Sequence, residues 1–280
     1  MNKLLILIIF LYTGCNTSEF KSAVDLSSNL NEVSGTETTT NSNLIWMVND
    51  SGNKPRLFGL NANGKIKEEL KIDAKNHDWE DLTSDTEGNI YIGDFGNNIS
   101  KRKNLAILKV SASSLKSKEK VSIERISFTY PDQKKFPPKK KKLYFDCEAF
   151  FYHNNNLYLF TKSRVKGDFG KTNLYKIPAN SGTHEAQFLG TYSNCDDLHC
   201  WITSADISPD GKQVVLLNQK SVLLFTDFKE DDFLNGTIRE FPFNYESQKE
   251  GICFKDNQTV YITDEKAHGA GGNLYEFRLK

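Results

Sequence analysis

The residues best equipped for chemistry in this chain are carboxylates. The stretch "NHDWEDLTSDTEGNIYIGDFGNN" (76–98) places Asp78, Glu80 and Asp81 around Trp79, turns at Glu87-Gly88-Asn89, and ends its next apolar run on Asp94. One aspartate at a turn is ordinary punctuation. Several together repel one another unless a positive charge or a proton offsets them. The same phrase recurs. "EVSGTE", "DWEDLTSD", "DCEAFFYH", "TSADISPD" and "KEGICFKD" open with Glu32, Glu80, Glu148, Asp206 and Glu250, 44 to 68 residues apart. If these five acids converge, a hard divalent cation with oxygen ligands is the simplest partner. Calcium is favoured, because it accepts six to eight oxygens in loose geometry. In the fourth phrase Ser204 is the alternative to Asp206 at the acid's place. A blander arrangement is that each acid only accepts neighbouring backbone amides at a solvated rim.

The elements that must position these acids are strands. Helical periodicity is nearly absent. Each acidic phrase is followed by an apolar run ("NLIWMVND", "NIYIGD", "NLYLFTK", "QVVLLNQ", "TVYITDE") and then by a third run such as "RLFGLN", "NLYKI" or "NLYEFRL". Fourth runs ("KIKEELKI", "VSIERISFTY", "EAQFLGTY", "IREFPF") complete four of the units. Four strands at this period predict an all-β, five-bladed β-propeller of four-stranded antiparallel blades. The last unit lacks its fourth strand, and "FKSAVDLS" near the N-terminus can supply it, closing the ring and removing a sheet edge. Six blades is the alternative if the polar, Pro-bearing stretch 131–142 hides structure. First strands line the axis of such a fold. The loops after second strands open on the same mouth as the five acids. That mouth would carry Asp50, Asp78, Asp94, Asn97, Lys162, Arg164, Asp264, Glu265 and His268 as a face for substrate or partner.

The first residues, "MNKLLILIIFLYTGC", read as a secretory signal over 1–14, too short to span a bilayer. "LYTGC" resembles a bacterial lipobox, with Cys15 as the lipidated residue, 15–20 as a tether and 21–280 as the propeller domain. The expected location is therefore the bacterial cell envelope, lipid-anchored to a membrane, with the domain secreted and monomeric. Export permits disulfides. Cys195 and Cys200 in "NCDDLHC" are the candidate pair. A zinc site of Cys195, His199 and Cys200 is one ligand short, and Cys147 and Cys253 lie in strand-like runs as buried thiols. The 36 basic and 36 acidic residues balance, which implies no global polyanion binder. The basic loop "DQKKFPPKKKK" has one aromatic, Phe136, among its lysines, and export makes nucleic acid unexpected; it is a solvated insert or a contact for anionic envelope lipid or an acidic protein.

Taken together, "NDSGNKPRLFGLN", "DWEDLT", "YIGDFGNN", "DCEAFFY", "LYLFTK" and "EGICF" resemble the motifs of secreted bacterial propeller lipoproteins and the SdiA-regulated, calcium-associated propeller family. A looser similarity is to esterase-like phytase propeller domains. The resemblance implies that Glu32, Glu80, Glu148 and Glu250 face an axial metal. "ITSADIS" departs from the pattern. Two functions follow: a binding or assembly module with a structural ion, taking an anionic small molecule or envelope component, or a metal-dependent hydrolase of phosphate esters or lactones. In the latter, Asp94 or Glu265 would be the base and His77 or His268 would move protons. No Gly-x-Ser-x-Gly elbow or glycine-rich phosphate loop is present.

Overall fold

The structure is a computed structural model that describes residues 20–267 and 269–279. Cys15 and His268 lie outside the described residues. In chain order the strands are β1 (Phe20–Asp25), β2 (Val33–Thr38), β3 (Ile45–Asn49), β4 (Arg56–Leu60), β5 (Ile66–Lys71), β6 (Trp79–Ser84), β7 (Ile90–Asp94), β8 (Ala106–Val110), β9 (Glu124–Thr129) and β10 (Asp146–His153). There follow β11 (Asn156–Lys162), β12 (Lys171–Pro178), β13 (Gly182–Glu185), β14 (Gln187–Ser193), β15 (Ser204–Ile207), β16 (Val214–Leu217), β17 (Ser221–Thr226), β18 (Thr237–Pro242), β19 (Lys249–Asp256), β20 (Thr259–Asp264) and β21 (Asn273–Arg278). They form five sheets: β2–β5, β6–β9, β10–β11–β12–β14, β15–β18, and β19–β20–β21 completed by β1. The chain is a five-bladed β-propeller.

The first strands β2, β6, β10, β15 and β19 touch in a closed ring around the axis. Five apolar clusters fill the gaps between consecutive blades. This packing explains the continuous apolar runs, since a strand buried on both faces has no polar side to alternate with. On β16, Val214 and Leu216 enter the cluster shared with the third blade, while Val215 and Leu217 enter the one shared with the fifth. Trp79 packs with Trp46 and Val48 in the gap between the first and second blades. The 85–89 turn of the opening stretch is closed by Asp85, whose Oδ1 accepts the Glu87 and Asn89 amides, with Gly88 at φ 83°. β1 pairs antiparallel with β21, so the N-terminal strand closes the fifth blade. One strand was not foreseen: β13 leaves the third blade and pairs in parallel with β9, covering the outer edge of the second. Stretch 131–142 contains no strand, only a 3-10 turn at Lys140–Lys142.

Candidate functional site

Register decides which acids meet. In four blades the first strand carries a bulge against its second strand. One extra residue is inserted between Val33 and Gly35, between Lys249 and Gly251, within Trp79–Leu82, and between Cys147 and Ala149. Such a bulge re-aims side chains at the end of a strand. The extra residue is Glu80, Glu148 or Glu250 in three blades and Ser34 in the first. Glu32 therefore lies two residues outside the equivalent place; it is exposed, and Asn53 donates to its carboxylate. The fourth blade has no such bulge. There Asp206 sits further along the axis, accepting the Phe254 amide at 2.7 Å and the Ile207 amide at 2.7 Å. A five-acid ring with Glu32 and Asp206 as members is thus corrected to three bulge-borne glutamates.

Of these, Glu80 joins a tight group. Ligand oxygens of Asp50, Asp78 and Glu80 all lie within 4.8 Å of one another. Asp50 comes from the loop after β3, and Asp78 from the lead-in to β6. Burial pushes the Asp50 carboxyl up to about 6, helped by the charges of Asp78 and Glu148. Burial raises Asp78 as well, and raises Glu80 well above the usual range, with Glu148 and Asp50 adding repulsion. The oxygens of ligands about 2.3–2.6 Å from one calcium lie at most about 5 Å apart, so the spacing suits one shared ion. The donor set is oxygen only, as calcium requires. Gly96 keeps the space open: a Cβ there would stand 1.9 Å from Glu80 Oε1 and 2.6 Å from Asp78 Oδ2.

Glu148 has a different environment. Lys162 Nζ donates to Oε2 at 2.9 Å and Arg164 Nη2 to Oε1 at 3.2 Å. Burial raises its pKa, but the two cations overcome this and hold the carboxyl below its usual value. Arg164 also donates to Asp146 at 2.6 Å, and both cations lie over the Trp201 ring. Trp201 follows the Cys195–Cys200 disulfide and donates to the Ser163 carbonyl at 2.6 Å. Glu250 and Glu265 form a further acidic pair. Burial lifts Glu250 to about 7; burial, then Glu250 and Asp50, lift Glu265 to about 8. Gln248 donates to Glu265.

Several expected face residues are braces. Asp94 is fully buried and is held by Arg102 at 2.9 Å, with His77 Nδ1 at 2.9 Å from its other oxygen. That environment fixes Asp94 as a support for His77 and removes it as a free base. Asn97 donates its amide to Asp146 and accepts from the Arg102 amide. Asp264 accepts the Asn273 amide and the Tyr275 hydroxyl, both at 2.8 Å. Asp81, the third acid of the opening cluster, went unassigned in the sequence. It is fully buried on the axis and accepts from Phe150 N, Ser204 Oγ and Ala205 N, so it ties the second blade to the third and fourth. Its only sequence signal is its place after Glu80. Arg102 had none beyond a basic run.

No family model matches the chain, and no curated protein matches it. Among solved structures it is similar to a PQQ-bound aldose sugar dehydrogenase from Streptomyces coelicolor, at 8% identity and TM-score 0.56, covering 94% of this chain and 98% of that one. A streptogramin B lyase is matched at 12% identity and TM-score 0.48, covering 92% of this chain and 87% of that one. A putative gluconolactonase is matched at 12% identity and TM-score 0.46, covering 84% and 70%. The likeness is one of fold.

Proposed function

We propose that this chain is a cell-envelope β-propeller lipoprotein of the calcium-associated kind, acting as a binding or assembly module. The observation that carries the reading is the convergence of Asp50, Asp78 and Glu80 around the space that Gly96 leaves. Three carboxylates fill only part of a calcium shell, which takes six to eight oxygens. The remaining places suit oxygens of an anionic small molecule or envelope component. Lys162 and Arg164 stand at the same mouth with their charge largely committed to Glu148 and Asp146. They therefore shape the rim more than they capture anions.

Lipid on Cys15 would tether the module through the segment that leads into β1, the strand that closes the fifth blade against β21. The metal-dependent hydrolase of phosphate esters or lactones is the second reading. It draws on one observation: His77, beside the cluster, is held by Asp94 at 2.9 Å.

Calorimetric melting of the domain in calcium and in chelator tests the ion. A hundredfold excess over the dissociation constant adds roughly 2.7 kcal/mol, and Glu80→Gln abolishes the gain. Identical melting in calcium, magnesium and chelator overturns the ion and both readings with it. Turnover across a panel of phosphoesters and lactones, lost on His77→Ala while calcium still raises the melting temperature, decides for the hydrolase.

A further inference from the structure

The opposite mouth of the propeller is also built as a site. There the turns joining first to second strands border an open cavity of about 860 Å³, within the range of small-molecule pockets. Its charged floor comes from two blades. Glu37 on β2 is 4% exposed and Asp206 on β15 is 6% exposed, and the Asp206 charge acts directly on Glu37. Asp81 lies between this floor and the carboxylate mouth, so the two sites are separate.

We propose that this cavity binds a small organic cation carrying a protonated amine, with Glu37 and Asp206 as its counter-charges. Four acids line the cavity, Glu37, Asp85, Asp206 and Asp210, against one lysine, Lys255, and that lysine is committed to Glu276 at 2.8 Å. Asp85 is occupied by Asn89 and Tyr91, and Asp210 by Ser208. Among the described residues no cationic side chain pairs with Glu37 or Asp206. The Thr39 hydroxyl in the same wall is a second, independent sign. Its residue is 7% exposed, and its oxygen has no hydrogen-bond partner among the described residues. A buried hydroxyl left unmatched costs stability unless a ligand or water meets it.

The wall chemistry favours an amine over a bare metal ion. Each Asp206 oxygen already accepts a backbone amide and one Glu37 oxygen accepts the Thr38 amide, so this pair offers fewer oxygens than the six to eight of a calcium shell. An ammonium needs only acceptors, which Glu37 and the hydroxyls of Thr38 and Thr39 provide. Its aliphatic stem can lie on Tyr152, while the Tyr261 ring already carries the Lys255 ammonium.

Titration calorimetry of the full domain with 1,4-diaminobutane, in chelator, is the test. Saturable binding is expected, weakened at least tenfold by Glu37→Gln and also by Asp210→Lys, which reverses a rim charge without disturbing the floor. Glu80→Gln, at the other mouth, should leave diamine affinity unchanged, so the calcium reading and this one fail separately. Absence of saturable binding overturns the proposal. So does binding that both cavity variants leave intact, or a cavity that takes glucose or calcium in preference to the diamine.

Discussion

Gly96 lies against Glu80 so closely that a methyl group on its Cα would occupy the place of Glu80 Oε1. The glycine comes from the loop after β7 and the glutamate from β6. Their approach leaves a recess bounded by three carboxylates. Gly96→Ala should therefore splay Glu80 and Asp78 while keeping both carboxylates. Calcium affinity is expected to fall at least tenfold, about 1.4 kcal/mol, read by calorimetry. Because no positive φ binds Gly96 to glycine, melting in chelator should change much less. Unaltered affinity would show that the recess does not hold the ion.

Asp81 acts only as an acceptor, for Leu82 N at 2.9 Å, Ser204 Oγ at 3.0 Å, Phe150 N at 3.2 Å and Ala205 N at 3.4 Å. An amide in its place would turn an NH₂ toward donors. Asp81→Asn is therefore expected to destabilise the fold by about 1–3 kcal/mol in urea unfolding, despite near-identical shape. An isostere as stable as the parent would show that Asp81 does not brace the blades.

Lys162 and Glu148 are both nearly buried, with Nζ 2.9 Å from Oε2. Removing one partner strands a charge, at a cost of about 3–5 kcal/mol. Lys162→Met is expected to lose stability toward the lower end of that range, since Arg164 remains. Adding Glu148→Gln should restore part of it. A double-mutant cycle in urea with no coupling would contradict the pairing.

The acids at the carboxylate mouth predict a pH trend of definite sign. Glu250 sits at about 7 and Glu265 at about 8, both raised first by burial, against about 4.3 when unfolded. The folded state therefore holds these protons more tightly. The resulting stability is complete below about pH 4.3 and is lost as pH rises through 7 and 8. Asp206, raised by burial to about 7 at the other mouth, acts in the same sense. In chelator the melting temperature should fall between pH 5 and 8.5. Added calcium, by screening the deprotonated acids, should flatten that fall. A melting temperature that climbs over the range in chelator would count against the assigned shifts.

Much of the architecture was legible in the chain itself. Strand runs, blade count, the N-terminal closure and the location of acids at strand openings follow from local apolar runs and a repeated phrase, because each blade is one local antiparallel unit. β13 was hidden because its pairing with β9 joins segments more than 50 residues apart. The choice among acids was also hidden. Glu32 and Glu80 each open a repeated phrase, yet Glu80 is the bulge residue of its strand and is clustered, while Glu32 lies two residues before its own strand's bulge and is exposed. A bulge shifts facing by a single residue and leaves no mark in composition. The roles of Asp78, Glu80 and Asp81, adjacent in the opening stretch, were set by what the neighbouring blades bring to each: Asp50 to the first two, and the amides of Phe150 and Ala205 to the third. Local sequence determined which residues could carry charge at the axis. Only the tertiary packing decided which of those charges meet another acid, a lysine or a backbone amide, since Coulomb and hydrogen-bond energies depend on distances between blades that the chain order does not encode.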